Sequence, residues 1–398
     1  MKNSFATVSA NSNNKNWENI ISRQSPLYKR EDDIRSEFAR DFNRIIHSDA
    51  YKRLKHKTQV FYSPKNDHIC TRIEHVNHVE SISYTIAHYL GLNEELTRAI
   101  AIAHDLGHAP FGHKGEKILN EICKRELNTT FWHEKNGLFF VDNIELLEDY
   151  EGYKQNLNLT YGVRDGIISH CGEIDENSIF PRSEFIDLCD YQYPNQFSPY
   201  TWEACVVKIA DKISYIGRDI EDAVTLGIVD KHLDELYSLV GHSNGVINNT
   251  VIIYNLIYDL CTNSSPENGL CLSEKSLALM NKIKEFNYKY IYLSEILKPS
   301  DNYFSVVINQ IYDILKTIYD GDNTFDSLNR YSKFYPNLVN SFTDWLNKFS
   351  INVKREKSKN KRLFDISIPK DFYSAIIFYI AGMTDKFAID LYNEIIGF

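Results

Sequence analysis

Turn formers are scarce in this chain, with ten prolines and seventeen glycines among 398 residues. Runs of β-branched residues in strict alternation are also rare, so there is little material for hairpins or an all-β fold. The seven cysteines, Cys70, Cys123, Cys171, Cys189, Cys205, Cys261 and Cys271, are odd in number, scattered and free of any CxxC pair. They read as reduced thiols of a cytosolic protein. Positive charge is in deficit, 44 Lys and Arg against 54 Asp and Glu, for a net −10. That argues against general adhesion to nucleic acid or acidic membranes, and a polyanionic ligand then needs a local basic pocket. The longest apolar run near the end, FYSAIIFYIAGM, falls short of the about 20 residues of a membrane span. The opening MKNSFATVSANSNNKN lacks the apolar core of a signal peptide and reads as a disordered lead-in over 1–16. Nothing directs the chain out of the cytoplasm.

What the chain does have is helical periodicity. Apolar residues make up 43% and charged ones 25%, as in ordinary globular proteins. In RIEHVNHVESISYTIAHYLGL, the residues Val79, Ile82, Ile86 and Leu90 form an i, i+3, i+7, i+11 stripe, and Gly91 offers a stop. Segments 94–106, 114–127, 137–148, 203–226, 231–240, 250–262, 273–286, 305–320 and 371–397 behave alike, which predicts an all-α fold. The stretch 172–200 reads as an irregular insert and 351–363, with KREKSKNKR, as a charged loop.

One stretch crowds chemistry into an apolar helix: AIAIAHDLGHAPFGHKGEKIL, residues 99–119, holds His104, Asp105, His108, His113 and Glu116. Buried carboxylates and imidazoles are normally paired or bound to metal. Adjacent helical residues point about 100° apart, so His104 and Asp105 need other helices to complete a shell around one ion. Two helices offer partners: His75 in RIEH, and Asp211 in KIADKISYIGRDIED. On the second, Val207, Ile209, Ile213, Ile216 and Ile220 supply a buried side. Asp211, Tyr215, Arg218 and Asp222 make a polar face that is either solvated or lines a site.

The set His75, His104, Asp105 and Asp211 resembles the H…HD…D signature of HD-superfamily phosphohydrolases. The flanks RIIHSDAYKRLKHKTQVF, TRIEH, AHDLGHAPFGHKGE, FWHEKNG, ADKISYIGRDIED and YIAGMTDKFAIDLY occur in that order. Together they resemble the deoxynucleoside triphosphate triphosphohydrolases, with dGTPases among them, from about Trp17 to the end. The resemblance implies an HD-type helical core over 17–230 and a C-terminal helical region, 231–398, that completes the site and makes subunit contacts. In that family hydroxide attacks the α-phosphorus of a dNTP, releasing the deoxynucleoside and intact triphosphate.

The same resemblance implies roles residue by residue. His75, His104, Asp105 and Asp211 hold a divalent ion, and this mixed N/O set suits Mn, Fe, Co or Ni at least as well as Mg. His113 and Glu116 match a catalytic dyad in which the carboxylate orients the imidazole for proton transfer. His108 and His133 match histidines that face the triphosphate. A nucleoside triphosphate carries roughly four negative charges, and Arg72 and Lys212 match phosphate contacts, with Tyr215 a substrate tyrosine. Asp219 and Gln59 match the pair at the sugar 3′-hydroxyl. Val60 packs below the sugar, against a 2′-hydroxyl, and Tyr292 closes that wall. Asp222 competes with Asp219 on spacing and reads better as a surface or interhelical charge. His47, His56, His78 and His88 read as ordinary core or surface histidines.

The basic run KRLKHK at 52–57 reads as a solvated or interface face, with a nucleic-acid patch as the other option, and GMTD at 382–385 as packing. The family further implies a homo-oligomer (tetramer or hexamer), an effector dNTP and single-stranded DNA as possible partners, and no membrane. Two other readings stand beside it: another HD phosphohydrolase, such as a nucleotidase or phosphodiesterase, and a nucleotide-sensing or DNA-binding scaffold without turnover.

Overall fold

The computed structural model describes residues 2–28, 32–62, 66–171, 177–240, 249–353 and 357–397. Parts of the 172–200 insert and of the 351–363 loop therefore lie outside the described residues. Among the described residues seventeen α-helices follow one another. The first nine are α1 (Trp17–Ile21), α2 (Glu37–His47), α3 (Asp49–Arg53), α4 (Arg72–Leu90), α5 (Glu94–Ala103), α6 (Gly112–Leu127), α7 (His133–Phe139), α8 (Tyr161–Ser169) and α9 (Trp202–Thr225). The rest are α10 (Leu233–Val240), α11 (Asn249–Asn263), α12 (Glu274–Asn287), α13 (Lys298–Thr317), α14 (Thr324–Tyr331), α15 (Pro336–Phe349), α16 (Pro369–Ala381) and α17 (Asp385–Ile396). Among the described residues the only sheet is a two-residue hairpin, Leu147–Glu148 against Lys154–Gln155. The fold is all-α, as the periodicity predicts.

Two compact units divide the chain, and neither boundary falls at residue 16 or 230. Unit 1 comprises Met1–Ile46, Ser63–Asp105 and Leu159–Lys298; unit 2 comprises His47–Tyr62, Leu106–Asn158 and Pro299–Phe398. The C-terminal region is thus split, with α10 to α12 in the first unit and α13 to α17 almost wholly in the second. Sequence order cannot reveal this, because each unit is built from three separated pieces.

In unit 1, α4 packs against α5 and α9, while α8, α11 and α12 pack on α9. A capping box starts α4: the Thr71 N–H and hydroxyl both donate to Glu74 Oε2, at 2.7 and 2.9 Å. Gly91, at φ +79°, ends it in the left-handed conformation that glycine tolerates best. The stripe Val79, Ile82, Ile86 and Leu90 is buried. Thr201 caps α9 by accepting the Ala204 N–H, and Val207, Ile209, Ile213, Ile216 and Ile220 are buried along it.

The expected lead-in is packed instead of loose. Phe5 is fully buried and meets the Trp202 ring edge-on at 4.9 Å. Its N–H donates to Leu90 O. Ala10 N–H and Asn93 N–H both donate to the buried Glu203 carboxylate, at 2.8 and 2.9 Å. A polar composition argues for disorder only while its backbone lacks fixed partners, and Glu203 on α9 supplies one.

In unit 2 the core gathers side chains of α6, α13, α15, α16 and α17, among them Ile118, Ile308, Phe342, Ile376 and Leu391. The single helix expected over 371–397 is two, α16 and α17, bent by 120°. Thr384 accepts the Phe387 N–H and caps the second. The helix expected over 137–148 starts earlier, at His133, and passes into a π-helical turn at Phe140–Ile144. Among the described residues no single helix is long and apolar enough to cross a membrane.

Candidate metal centre and histidine cluster

The four expected metal ligands all belong to unit 1. His75 sits in the first turn of α4, α5 ends at Ala103 so that His104 caps it and Asp105 follows, and Asp211 projects from α9. His75 Nε2 lies 3.0 Å from Asp211 Oδ1 and 3.7 Å from Asp105 Oδ2. His104 Nε2 lies 3.5 Å from Asp105 Oδ1 and 3.8 Å from Asp211 Oδ1. Donors about 2.1 Å from one ion and at right angles are about 3.0 Å apart, so these separations suit a shared cation.

The donor chemistry fits as well. His104 Nδ1 bonds Ala101 O at 2.6 Å, which makes it the protonated nitrogen and leaves a lone pair on Nε2. That Nε2 is buried with no hydrogen-bond partner among the described residues, an arrangement that is costly unless a cation is held there. Burial opposes a charge on His75, but the hydrogen bond and charge of Asp211 and the charge of Asp105 carry its pKa above the ordinary value. Burial likewise opposes ionisation of Asp211, yet His75 and His104 hold its pKa below the usual carboxylate range. The site is thus built to attract positive charge.

Around this centre, the Arg72 guanidinium, 1% exposed, donates through Nη1 to Asp105 Oδ2 at 2.7 Å. It fixes the orientation of the Asp105 carboxylate directly. Lys212 is buried next to Asp211, and Tyr215 is half-buried one turn on. The Tyr292 hydroxyl donates to Asp219 Oδ2 at 2.5 Å, so these two expected sugar-edge residues are brought together. Burial and the Asp219 charge push the phenol well up.

Of its two readings, surface or interhelical charge, Asp222 departs from the first: it is buried and accepts the N–H of Cys70, just before α4, at 3.0 Å. Burial raises its pKa to about 6, against the opposing pull of Cys70 N–H and Arg218. The polar stripe of α9 therefore divides among a candidate metal ligand, an Arg218–Glu221 pair at 3.3 Å and a buried carboxylate. His170, which the sequence reading missed, stands edge-on to His104 with ring centres 5.0 Å apart. Nothing in its flank ISHC signals this, because α8 brings it there.

The other three expected site histidines, His108, His113 and His133, belong to unit 2. His108 stacks on His133 at 3.8 Å between ring centres, and His113 meets both edge-on at 5.2 and 5.7 Å. Glu116 was expected to orient His113, but its closer partner is His133. Its Oε2 is 3.0 Å from His133 Nδ1 and 3.4 Å from His113 Nδ1, and its Oε1 accepts the His133 N–H at 3.1 Å. The His113 side chain is 69% exposed against 13% for His133. Burial works against the Glu116 charge, but the two imidazoles hold its pKa well below the usual range. The four donor atoms of this cluster lie within 4.8 Å of one another.

Gly107 permits the cluster, since a Cβ there would lie 2.0 Å from His133 O and 2.1 Å from Gly137 N. The chain then turns at Phe111 and Gly112, both at positive φ, +64° and +59°. Gln59 and Val60, also in unit 2, are half-buried after the turn Leu54–His56. The basic run before them is not one solvated face. Lys57 is buried and donates to the carbonyls of His108 and Ala381, and Arg53 pairs with Glu145 at 2.6 Å.

Residues 72–216 match the HD domain family model, a span that contains His75, His104, Asp105 and Asp211. A deoxyguanosinetriphosphate triphosphohydrolase-like protein of Caldanaerobacter subterraneus subsp. tengcongensis is 33% identical over 380 residues, covering 94% of this chain and 90% of the relative. One from Rickettsia conorii is 33% identical over 374 residues, covering 91% of each. With an HD domain match and 33% identity across about nine-tenths of both chains, this protein belongs to the HD-domain family of deoxyguanosinetriphosphate triphosphohydrolase-like proteins.

Proposed function

We propose that this protein hydrolyses deoxynucleoside triphosphates, dGTP among them, to the deoxynucleoside and inorganic triphosphate. The observation that carries the reading is the convergence of His75, His104, Asp105 and Asp211, with a buried His104 Nε2 that has no hydrogen-bond partner among the described residues. A divalent cation held there, Mn, Fe, Co or Mg, supplies Lewis acidity toward a phosphate oxygen and lowers the pKa of water. Arg72 keeps the Asp105 carboxylate turned toward that position and adds fixed positive charge for the phosphates, together with Lys212 and Tyr215.

Water attacks the α-phosphorus, the bond from that phosphorus to the 5′ oxygen breaks, and the departing oxygen takes a proton. Ionised Glu116 orients the imidazoles of His133 and His113 for this proton transfer, in either direction. His108 and His133 donate hydrogen bonds to the charge that develops on the triphosphate. The family resemblance assigns Asp219 and Gln59 to the 3′-hydroxyl, and Val60 and Tyr292 to the exclusion of a 2′-hydroxyl. The reading extends to a cytoplasmic homo-oligomer, tetramer or hexamer, responsive to a second dNTP and to single-stranded DNA.

The test is to load the protein with each metal, supply each dNTP, and separate the products by anion exchange. Deoxynucleoside with triphosphate supports the reading. Monophosphate with pyrophosphate overturns it, and so does tight binding of every dNTP without turnover.

A further inference from the structure

The motif Gly382-Met383-Thr384-Asp385 contributes no metal ligand and no nucleophile, yet its aspartate is 3% exposed. A buried carboxylate is costly unless its oxygens are satisfied. Those of Asp385 are satisfied by backbone N–H groups from two separate segments of unit 2. Oδ2 accepts the Thr58 N–H and Oδ1 the Phe111 N–H, each at 2.8 Å. Thr58 immediately precedes Gln59 and Val60, and Phe111 lies between His108 and His113.

Lys57 does the converse with opposite charge, its ammonium donating to the carbonyls of His108 and Ala381. An anion gathers two amides and a cation gathers two carbonyls, so segments 57–60, 108–112 and 381–385 are stitched pairwise. The stitch falls where the backbone needs it. Phe111 holds φ +64°, unusual for a bulky residue and stable only where the surroundings over-determine it. Its ring stacks on Phe304 at 4.2 Å, and its N–H is fixed by Asp385.

We propose that Asp385 is a positioning residue that, by bonding the Thr58 and Phe111 amides at once, sets the register between the sugar-edge residues Gln59 and Val60 and the His108–His113–Glu116 cluster. Asp385 acts through these residues and touches no substrate. Sugar discrimination and proton transfer therefore depend on one carboxylate that performs neither. The assignment of those two tasks rests on the function proposed above.

The experiment uses the full chain loaded with manganese, as wild type, Asp385→Asn and Asp385→Ala. It measures metal content, kcat and KM for dGTP and for GTP, and hydrogen exchange of peptides spanning 57–62 and 108–112. For Asp385→Ala, kcat falls about 100-fold, as expected for small misplacements of catalytic groups, and the preference for dGTP over GTP narrows. Metal content stays at the wild-type level, because the ligands lie in unit 1, and exchange quickens in both peptides. Asp385→Asn keeps one acceptor oxygen and falls between the two. It also carries the test if the alanine variant does not fold. A folded variant that only melts earlier, with kcat, sugar preference and exchange unchanged, overturns the proposal. If the wild type turns over no dNTP, the functional reading fails by itself. Exchange then decides the stitch: faster exchange in Asp385→Asn upholds it, and unchanged exchange overturns it.

Discussion

At the scale of single residues, the metal ligands and the histidine cluster should separate cleanly. Asp105→Ala removes one carboxylate from the centre and leaves Arg72 buried without its 2.7 Å partner, so metal content by mass spectrometry and turnover should vanish together. His113→Ala and His133→Ala should keep the metal and lose about 10²- to 10⁴-fold in kcat, the usual weight of a proton-transfer group. Because Glu116 binds His133 more closely than His113, the His133 variant should lose at least as much. If His113→Ala lost its metal, the division would be wrong.

Asp222 makes a separate prediction for stability. Its pKa rises from 3.8 to about 6 in the folded protein, so the fold binds this proton more tightly than the unfolded chain does. Its ionisation therefore costs stability as pH rises from about 4 to 6, and that loss persists above. Asp222→Asn should gain on the wild type in melting temperature between pH 4.5 and 7, whereas an equal gap at both pH values would refute the shift. The candidate metal ligands stood out as residues because histidine beside aspartate in an apolar helix has few inexpensive explanations. Asp222, Asp385 and His170 were not, since only their distant neighbours distinguish them from surface charges or ordinary core groups.

At the scale of elements, α4 and α9 were readable because amphipathic spacing and their termini agree. Thr71 and Glu74 close the capping box of α4, and His75 follows directly. Thr71→Ala should cost about 1 kcal/mol in chemical denaturation and, by fraying the first turn, should also weaken metal affinity. Gly107→Ala meets backbone atoms at 2.0 and 2.1 Å. It should destabilise by about 1–3 kcal/mol, as overpacking does, and lower kcat with it by shifting His133.

The bend between α16 and α17 escaped the periodicity, because apolar spacing continues across 382–384 and only the Thr384 cap and Asp385 mark the break. The first sixteen residues escaped for the opposite reason. Their composition is polar, and the partner that orders them, Glu203, is nearly two hundred residues away.

For the whole molecule, metal binding should appear as stability. A ligand that binds only the folded state adds about 2.7 kcal/mol at a hundred times its Kd, so manganese should raise the melting temperature and a chelator lower it. Asp211→Asn should abolish that shift, and a variant that retained it in full would remove Asp211 from the ligand set.

Local sequence determined the helical class, the candidate ligand types and their order along the chain, because periodicity and the cost of burying charge are written into neighbouring residues. Tertiary structure alone decided that the HD pair and the GHKGE histidine fall in different units, that Glu116 holds His133 more closely than His113, and that Asp385 ties two segments together. Those outcomes depend on contacts between positions far apart in the chain, and loop closure leaves no local trace of which distant partners meet.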